Sequence, residues 1–359
     1  FPFQLKGIIY FPKVMHELDA SKGQIHLYCK NVFVSDKASD VIPEFLTLLQ
    51  GAIDCPEIPL NVSRSSLQND PYVQKISKHI VKKVADKLNQ LAKKDSEKFE
   101  EIWNDISPFI KYGMMQNDDF YEKVKAQIIF DSSTAKKTRI EDYLSRNEEK
   151  IGKKVLYCAD KDTQAPYVAL CKEQDLEIIY LKGLIDTHFV QFLESKDSEI
   201  KYTSIDSELS EILVDEDKAS KVVDEENKSS DDKVAELFKS SLDNESLNVE
   251  VKSLKSELVS GMLLEDEYMK RMKQMSQFMP GSTPMTGLDN FRLVLNSNHK
   301  LIQDIQRLNE AGGKGDLVNE LCHHVYDLAK LSKQQLTGDE LQAFVSRSND
   351  LMAQLSQEG

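Results

Sequence analysis

The chain has 359 residues, 40% of them hydrophobic, and a formal net charge of −14 at pH 7. This apolar content is sufficient for the cores of two or three domains. The acidic balance argues against nucleic acid as a partner, because a phosphate backbone requires clustered lysine and arginine. No run approaches the roughly 20 apolar residues of a membrane span, so no membrane partner is expected either. The five scattered cysteines are typical of thiols in a reducing compartment.

The first 95 residues predict an α/β unit. Residues 4–11 and 24–34 alternate apolar and polar positions, as half-buried strands do, and residues 42–49 predict a short helix ended by Gly51. Asp70 and Pro71 form a favourable helix start. Apolar residues then recur every three or four positions, at Val73, Ile76, Ile80, Val84, Leu88 and Leu91. This spacing predicts a helix of about five turns or more with one buried stripe.

The next two segments predict a small helical region over 96–150 and a second α/β unit over 151–240. Trp103 is expected to be a core aromatic. A strand at 155–158, a helix over 164–174 and a strand over 177–181 predict parallel pairing through a right-handed crossover. No glycine-rich phosphate loop follows the first of these strands, so this unit is expected to be a scaffold. The acidic stretch 215–232 predicts a connector, with a domain boundary near residue 240.

Residues 241–359 predict an α+β domain that ends in a helical hairpin. Strands near 249–251 and 291–295 precede helices near 315–333 and 339–355. The apolar faces of these helices include Leu321, Val325, Leu328, Leu341, Phe344, Val345 and Met352. Two helices can cover each other only in part, so pairing with a second copy as a four-helix bundle is predicted. Packing of the helices onto the chain's own small sheet is the alternative.

Four methionines share one side of a further predicted helix: Met269, Met272, Met275 and Met279. Methionine is flexible and polarizable, so an exposed stripe could adapt to varied apolar partners, whereas core packing is the alternative explanation. No metal site is expected. The adjacent His323 and His324 would point about 100° apart on a helix, and neither belongs to a zinc-binding spacing.

The segment 59–68, with the sequence PLNVSRSSLQ, places one arginine among small polar residues. The forked, always-charged guanidinium of Arg64 is suited to an anionic group such as a phosphate. A surface ion pair with a nearby carboxylate is the alternative.

Several segments together closely resemble the middle domain of the ninety-kilodalton heat-shock chaperone family. They are FPFQLKGIIYFPK at 1–13, LYCKNVFVSD at 27–36, IPEFL at 42–46, the arginine segment 59–68 and IVKK at 80–83. The resemblance is dense over residues 1–90 and stays collinear to the C-terminus. Eukaryotic members usually have an acidic residue after the arginine, whereas Ser65 resembles the bacterial HtpG branch.

The resemblance implies a fold and a set of site residues. Residues 1–240 would form the middle domain and 241–359 the C-terminal dimerisation domain, so the whole is α/β, or α+β overall, with several domains. Arg64 would be catalytic, with Asn61 and Gln68 as loop partners. It would act on the terminal phosphate of ATP, which a separate N-terminal domain would hold with Mg.

The resemblance also implies a homodimer that remodels non-native client proteins in the bacterial cytoplasm, with the methionine segment contacting clients. Because the chain opens at Phe1 without an initiator methionine, it is expected to be a fragment with negligible ATPase activity alone. Its end lacks the acidic MEEVD tail, so helical-repeat cochaperones are not expected. The alternative function is a dimeric scaffold that holds clients without nucleotide.

Overall fold

The computed structural model describes residues 4–12, 25–35, 42–46, 49–57, 71–215, 229–244, 247–277, 291–312, 315–333 and 336–357. The strands are β1 Lys6–Tyr10, β2 Ile25–Cys29, β3 Val32–Ser35, β4 Gln50–Asp54, β5 Phe130–Ser132, β6 Lys137–Thr138, β7 Lys154–Cys158, β8 Ile179–Tyr180, β9 Lys201–Ser204, β10 Asn248–Lys252, β11 Gly261–Glu265 and β12 Phe291–Asn296. The helices are α1 Pro71–Lys94, α2 Ser96–Gln116, α3 Asp118–Val124, α4 Ile140–Ile151, α5 Ala165–Glu173, α6 Leu184–Lys196, α7 Leu209–Ile212, α8 Ser230–Ser241, α9 Glu267–Gln277, α10 Lys300–Glu310, α11 Gly315–Ser332 and α12 Gly338–Gln357. No helix within these ranges combines the length and apolarity needed to cross a bilayer.

The chain packs as two compact units. The first comprises Phe1–Asp131, Ala135–Asp142 and Lys182–Glu199, and the second comprises Ser132–Thr134, Tyr143–Leu181 and Ile200–Gly359. The predicted mixed α/β fold with several domains is confirmed. The domain boundary near residue 240 and the three-part division before it stay predictions.

A four-stranded sheet in the order β1-β4-β2-β3 opens the first unit. β2 runs parallel to β4, and the other two pairings are antiparallel. The strand predicted over 24–34 is instead the hairpin of β2 and β3, because Lys30 and Asn31 turn the chain with φ of 50° and 64°. Within the helix predicted over 42–49, the described residues contain a 3-10 turn at Glu44–Leu46, and Gly51 lies in β4 with φ of 142°.

The helices of the first unit confirm the two clearest sequence predictions. α1 buries Val73, Ile76, Ile80 and Leu88 along one stripe. Trp103 in α2 is buried, and its indole Nε1 donates to the Ile129 carbonyl at 2.8 Å. This bond satisfies the one polar group that a buried tryptophan carries.

The second unit contains a set of three parallel strands and, farther along the chain, a mixed sheet. β7 pairs in parallel with β8 on one side and β9 on the other, and α5 connects β7 to β8 as predicted. Farther along, β12 lies between β10, which is parallel to it, and β11, which is antiparallel. Helices α8, α10 and α11 supply buried apolar residues to the core beside this mixed sheet.

Candidate functional site

The arginine segment, with Asn61, Arg64 and Gln68, lies outside the described residues, and the structure describes only the elements on either side of it. On one side, β4 ends at Asp54, and the amide of Cys55 donates to the Tyr28 carbonyl at 2.9 Å. On the other side, α1 begins at Pro71 and continues for 24 residues. The segment therefore connects a strand of the four-stranded sheet to a long amphipathic helix.

Helix α9, which carries the first three predicted methionines, is attached to the α/β part of the second unit through its charged residues. The carboxylate of Glu267 accepts from the Tyr157 hydroxyl at 2.9 Å and from the Ser207 hydroxyl at 2.5 Å. Arg271 donates from Nη2 to the Tyr202 carbonyl at 2.7 Å and from Nε to Glu267 at 2.9 Å. These contacts fix the rotation of α9 about its axis.

Asp206 is the centre of this attachment. Its carboxylate pairs with Lys270 of α9 and, at 2.7 Å, with Lys333 just after α11. Burial alone would raise the pKa of Asp206, but the two lysines outweigh burial and hold it well below its usual range. Burial lowers the pKa of Lys333, and the ion pair with Asp206 opposes that effect. One buried anion therefore holds two elements that are distant in sequence.

The fixed rotation leaves a different side of α9 open to solvent. Met272 is 37% exposed and Tyr268, one turn earlier, is 68% exposed. Met269 is partly buried, Met275 lies within the helix, and Met279 lies outside the described residues. Tyr268 is not among the residues predicted from the sequence, although its spacing of four from Met272 could have indicated it. An aromatic and a thioether side chain thus share an accessible apolar surface.

The first hairpin helix is largely used by the chain's own core. Val325 of α11 is fully buried with Leu263, Leu293 and Cys322 in the core of the second unit. Leu321 and Leu328 are partly buried. Val325 is therefore unavailable to a second copy, which corrects its assignment to the dimer face. For this residue, the alternative of packing onto the chain's own sheet describes the structure.

The two hairpin helices are joined by charged and aromatic contacts. Arg347 of α12 pairs with Asp327 at 2.5 Å and with Glu320 at 2.9 Å. The rings of His324 and Phe344 stack with centroids 5.0 Å apart. These contacts hold α12 along α11 in an antiparallel hairpin, as predicted.

The second hairpin helix has an exposed apolar stripe. The stripe consists of four exposed residues, Leu341, Val345, Met352 and Leu355. Successive members are four, seven and three positions apart. Such spacing places them on one side of a helix. Three of the four belong to the predicted dimer face, and Leu355 adds to it.

The neighbouring Cys322, His323 and His324 do not form a common site. Cys322 is buried in the core and His324 stacks on Phe344. Throughout the described ranges, no cluster of three His, Cys, Asp or Glu side chains is arranged to hold a metal ion.

Comparisons with known proteins agree with the resemblance. The family model described as "Hsp90 protein" matches residues 2–357. A "Chaperone protein HtpG" from Bacteroides thetaiotaomicron is 38% identical over 320 residues, which cover 87% of this chain and 47% of that protein. One from Porphyromonas gingivalis is 36% identical over 314 residues, covering 85% of this chain and 46% of that protein. The chain spans about half the length of the relatives that it matches. It belongs to the Hsp90 protein family and is similar to that family's bacterial HtpG members.

Proposed function

We propose that the chain is the client-binding and dimer-forming part of an HtpG-type molecular chaperone that binds and remodels non-native proteins. The observation that carries this proposal is the exposed apolar side of α9, at Tyr268 and Met272, on a helix whose charged residues are anchored in a buried network.

The chemistry of this surface suits non-native clients. An unfolded chain exposes apolar side chains of many shapes, and the flexible thioether of methionine can adapt to them. A tyrosine adds a rigid contact area at low entropic cost. Because α9 is anchored through Lys270 and Arg271, presenting this surface requires no unfolding of the helix.

ATP-driven remodelling is proposed for the whole protein. Its relatives are about twice as long as this chain. We assign to Arg64 the role of stabilising charge on the transferred phosphoryl group of ATP, which an N-terminal domain would hold with Mg. Asn61 and Gln68 would position the arginine. We also propose the bacterial cytoplasm as the location; the relatives' organisms are bacteria, which supports the bacterial part of this assignment.

Dimerisation through the hairpin is proposed from the exposed stripe of α12. Leu341, Val345 and Met352 would pack against the same helix of a second copy in a four-helix bundle. The partly buried Leu321, Leu328 and Phe344 would complete the interface.

The direct test measures how well the chain suppresses aggregation of a chemically unfolded protein. The variant Met269→Ser/Met272→Ser/Met275→Ser should lose most of this protection and keep its dimer in sedimentation. The control is Leu258→Ser, which removes an apolar side chain outside α9 that is 60% exposed, against 37% for Met272. Unchanged protection by the triple variant, or equal loss in the control, would contradict the proposal.

A further inference from the structure

Two cysteines occupy adjacent positions at the ends of neighbouring parallel strands in the first unit. The register of β2 and β4 pairs Leu27 with Ile53 and Tyr28 with Asp54. Just beyond β4, the amide of Cys55 still donates to the Tyr28 carbonyl at 2.9 Å, so extending the register by one residue places Cys55 beside Cys29. Residues two apart in a strand point to the same face. Cys29 therefore shares the buried face with Leu27, and Cys55 shares it with Ile53. Cys29 is 2% exposed and Cys55 is 0% exposed.

The geometry of paired strands suits a covalent bridge. Neighbouring strands lie about 4.8 Å apart, within the range of about 4.4–6.8 Å between Cα atoms that a disulfide spans. Both thiols are reduced in the structure. The Cys29 Sγ donates to the Pro56 carbonyl at 3.7 Å, and the Cys55 Sγ donates to the Glu57 carboxylate at 3.4 Å.

We propose that Cys29 and Cys55 form an oxidation site, at which hydrogen peroxide converts the two thiols into a reversible disulfide. One sulfur attacks a peroxide oxygen to give a sulfenic acid and one water. The second thiol then displaces the hydroxyl group, which leaves with a proton as a second water. Two electrons pass from the pair of thiols to the peroxide, and one S–S bond replaces two S–H bonds.

The expected rate is low. Burial raises the pKa of the Cys55 thiol to about 11, so the reactive thiolate is scarce at neutral pH. The pair lies at the end of β2 and just beyond β4, where local opening at the strand ends can admit a small oxidant. We therefore expect the disulfide to form during sustained exposure to peroxide and not during brief exposure.

A bridge would change the segment that leads into the arginine loop. Oxidation removes both S–H donors, so Pro56 and Glu57 lose the hydrogen bonds that the thiols make to them. Residues 56 and 57 directly precede the stretch that contains Arg64. If Arg64 acts as proposed above, the disulfide would lower ATP turnover by the whole protein. This consequence rests on the proposed function, whereas the bridge itself does not.

The first experiment maps the bridge in the 359-residue chain. After hydrogen peroxide treatment and quenching, the thiols titratable in denaturant should fall from five to three, because one bridge consumes two of the five cysteines. Peptide mass spectrometry should find Cys29 linked to Cys55, and dithiothreitol should restore both. The variant Cys29→Ala should keep all its remaining thiols, while Cys322→Ala, which removes another buried cysteine, should still form the bridge. A bridge between other cysteines, or irreversible oxidation without a bridge, would overturn the proposal.

The second experiment separates the bridge from its consequence. In a protein that also carries an ATP-binding domain, peroxide should lower turnover, and Cys29→Ala/Cys55→Ala should abolish that sensitivity. Full turnover with the bridge formed would refute the link to the arginine segment and leave the oxidation site intact. The effect of Arg64→Ala, measured on reduced protein, tests the proposed function independently.

Discussion

Asp206 and Lys333 are 127 positions apart in the sequence, yet their side chains meet at 2.7 Å with only 8% and 7% of their side-chain surfaces exposed. The same carboxylate also binds Lys270 of α9. Helix α9 and the residue that directly follows α11 thus share one buried counter-charge. Any movement of one relative to the other must break a buried ion pair, which makes this part of the second unit stiff.

The first prediction concerns this shared charge. Asp206→Asn keeps the side-chain size but leaves two lysines without their anion, and loss of one partner of a buried pair typically costs about 3–5 kcal/mol. Chemical denaturation should show a loss of this size in the free energy of unfolding. Glu122→Gln is the matched control. It breaks the exposed pair with Lys125, which solvent screens, so its cost should be much smaller than that of Asp206→Asn. Equal costs for the two variants would contradict the role of Asp206.

The second prediction concerns pH. Burial, with help from Arg347, lowers the pKa of His324, whereas Asp327 opposes the shift. The unfolded chain therefore takes up a proton that the folded hairpin resists. The contribution of His324 to the free energy of unfolding is therefore fully present above the ordinary histidine pKa of about 6.5. It declines as the pH falls below that pKa, by at most about 1.4 kcal/mol per pH unit. Unfolding free energies at several pH values should show the decline.

Substitution of the two adjacent histidines checks that assignment. His324→Phe keeps a ring against Phe344 but cannot titrate, so it should remove this part of the decline. His323→Phe, at the neighbouring position, should retain it. A pH profile that His324→Phe leaves unchanged would show that another group is responsible.

The third prediction concerns dimerisation. Val345→Glu or Met352→Glu would place an unpaired carboxylate in the proposed interface. Burying such an unpaired charge costs about 3–5 kcal/mol. The dimer dissociation constant should therefore rise by at least about 100-fold. Sedimentation velocity measures it directly. The control Gln342→Glu adds the same charge to an exposed position beside the stripe. Dimers of unchanged strength in both glutamate variants would exclude the α12 stripe as the interface.

The fourth prediction concerns Arg64 in a protein that carries an ATP-binding domain. A charge-assisted hydrogen bond contributes about 1.5–3 kcal/mol, so Arg64→Ala should lower ATP turnover by at least about tenfold. Arg64→Lys should restore part of the loss, because it keeps the charge without the forked geometry. Full turnover with alanine would remove the catalytic role and favour a scaffold that holds clients without nucleotide.

The elements that could be predicted from the sequence are those in which apolar residues recur at a regular spacing. α1 and the hairpin helices have long apolar stripes, and their spacing alone indicates a helix. β11 was missed because its Met262, Leu263 and Leu264 are buried consecutively and do not alternate. α10 was missed because its two fully buried residues, Ile302 and Ile305, give too short a pattern.

The candidate site was only partly predictable for a different reason. The methionine spacing predicted α9, but nothing local distinguishes Asp206 from the other acids of the chain. Its importance comes from tertiary contacts with Lys270 and Lys333, which periodicity does not encode. Likewise, the apolar pattern of α11 could not show that Val325 packs inside the chain and not on its surface.

The most direct test of the account is photo-crosslinking of an unfolded client to single positions of the chain. A photoreactive phenylalanine derivative at position 268 or 272 should crosslink the client, because both positions lie on the accessible side of α9. The same probe at position 258, which is 60% exposed but lies outside α9, should give little product. Equal crosslinking at all three positions, or none at 268 and 272, would contradict client binding by this helix.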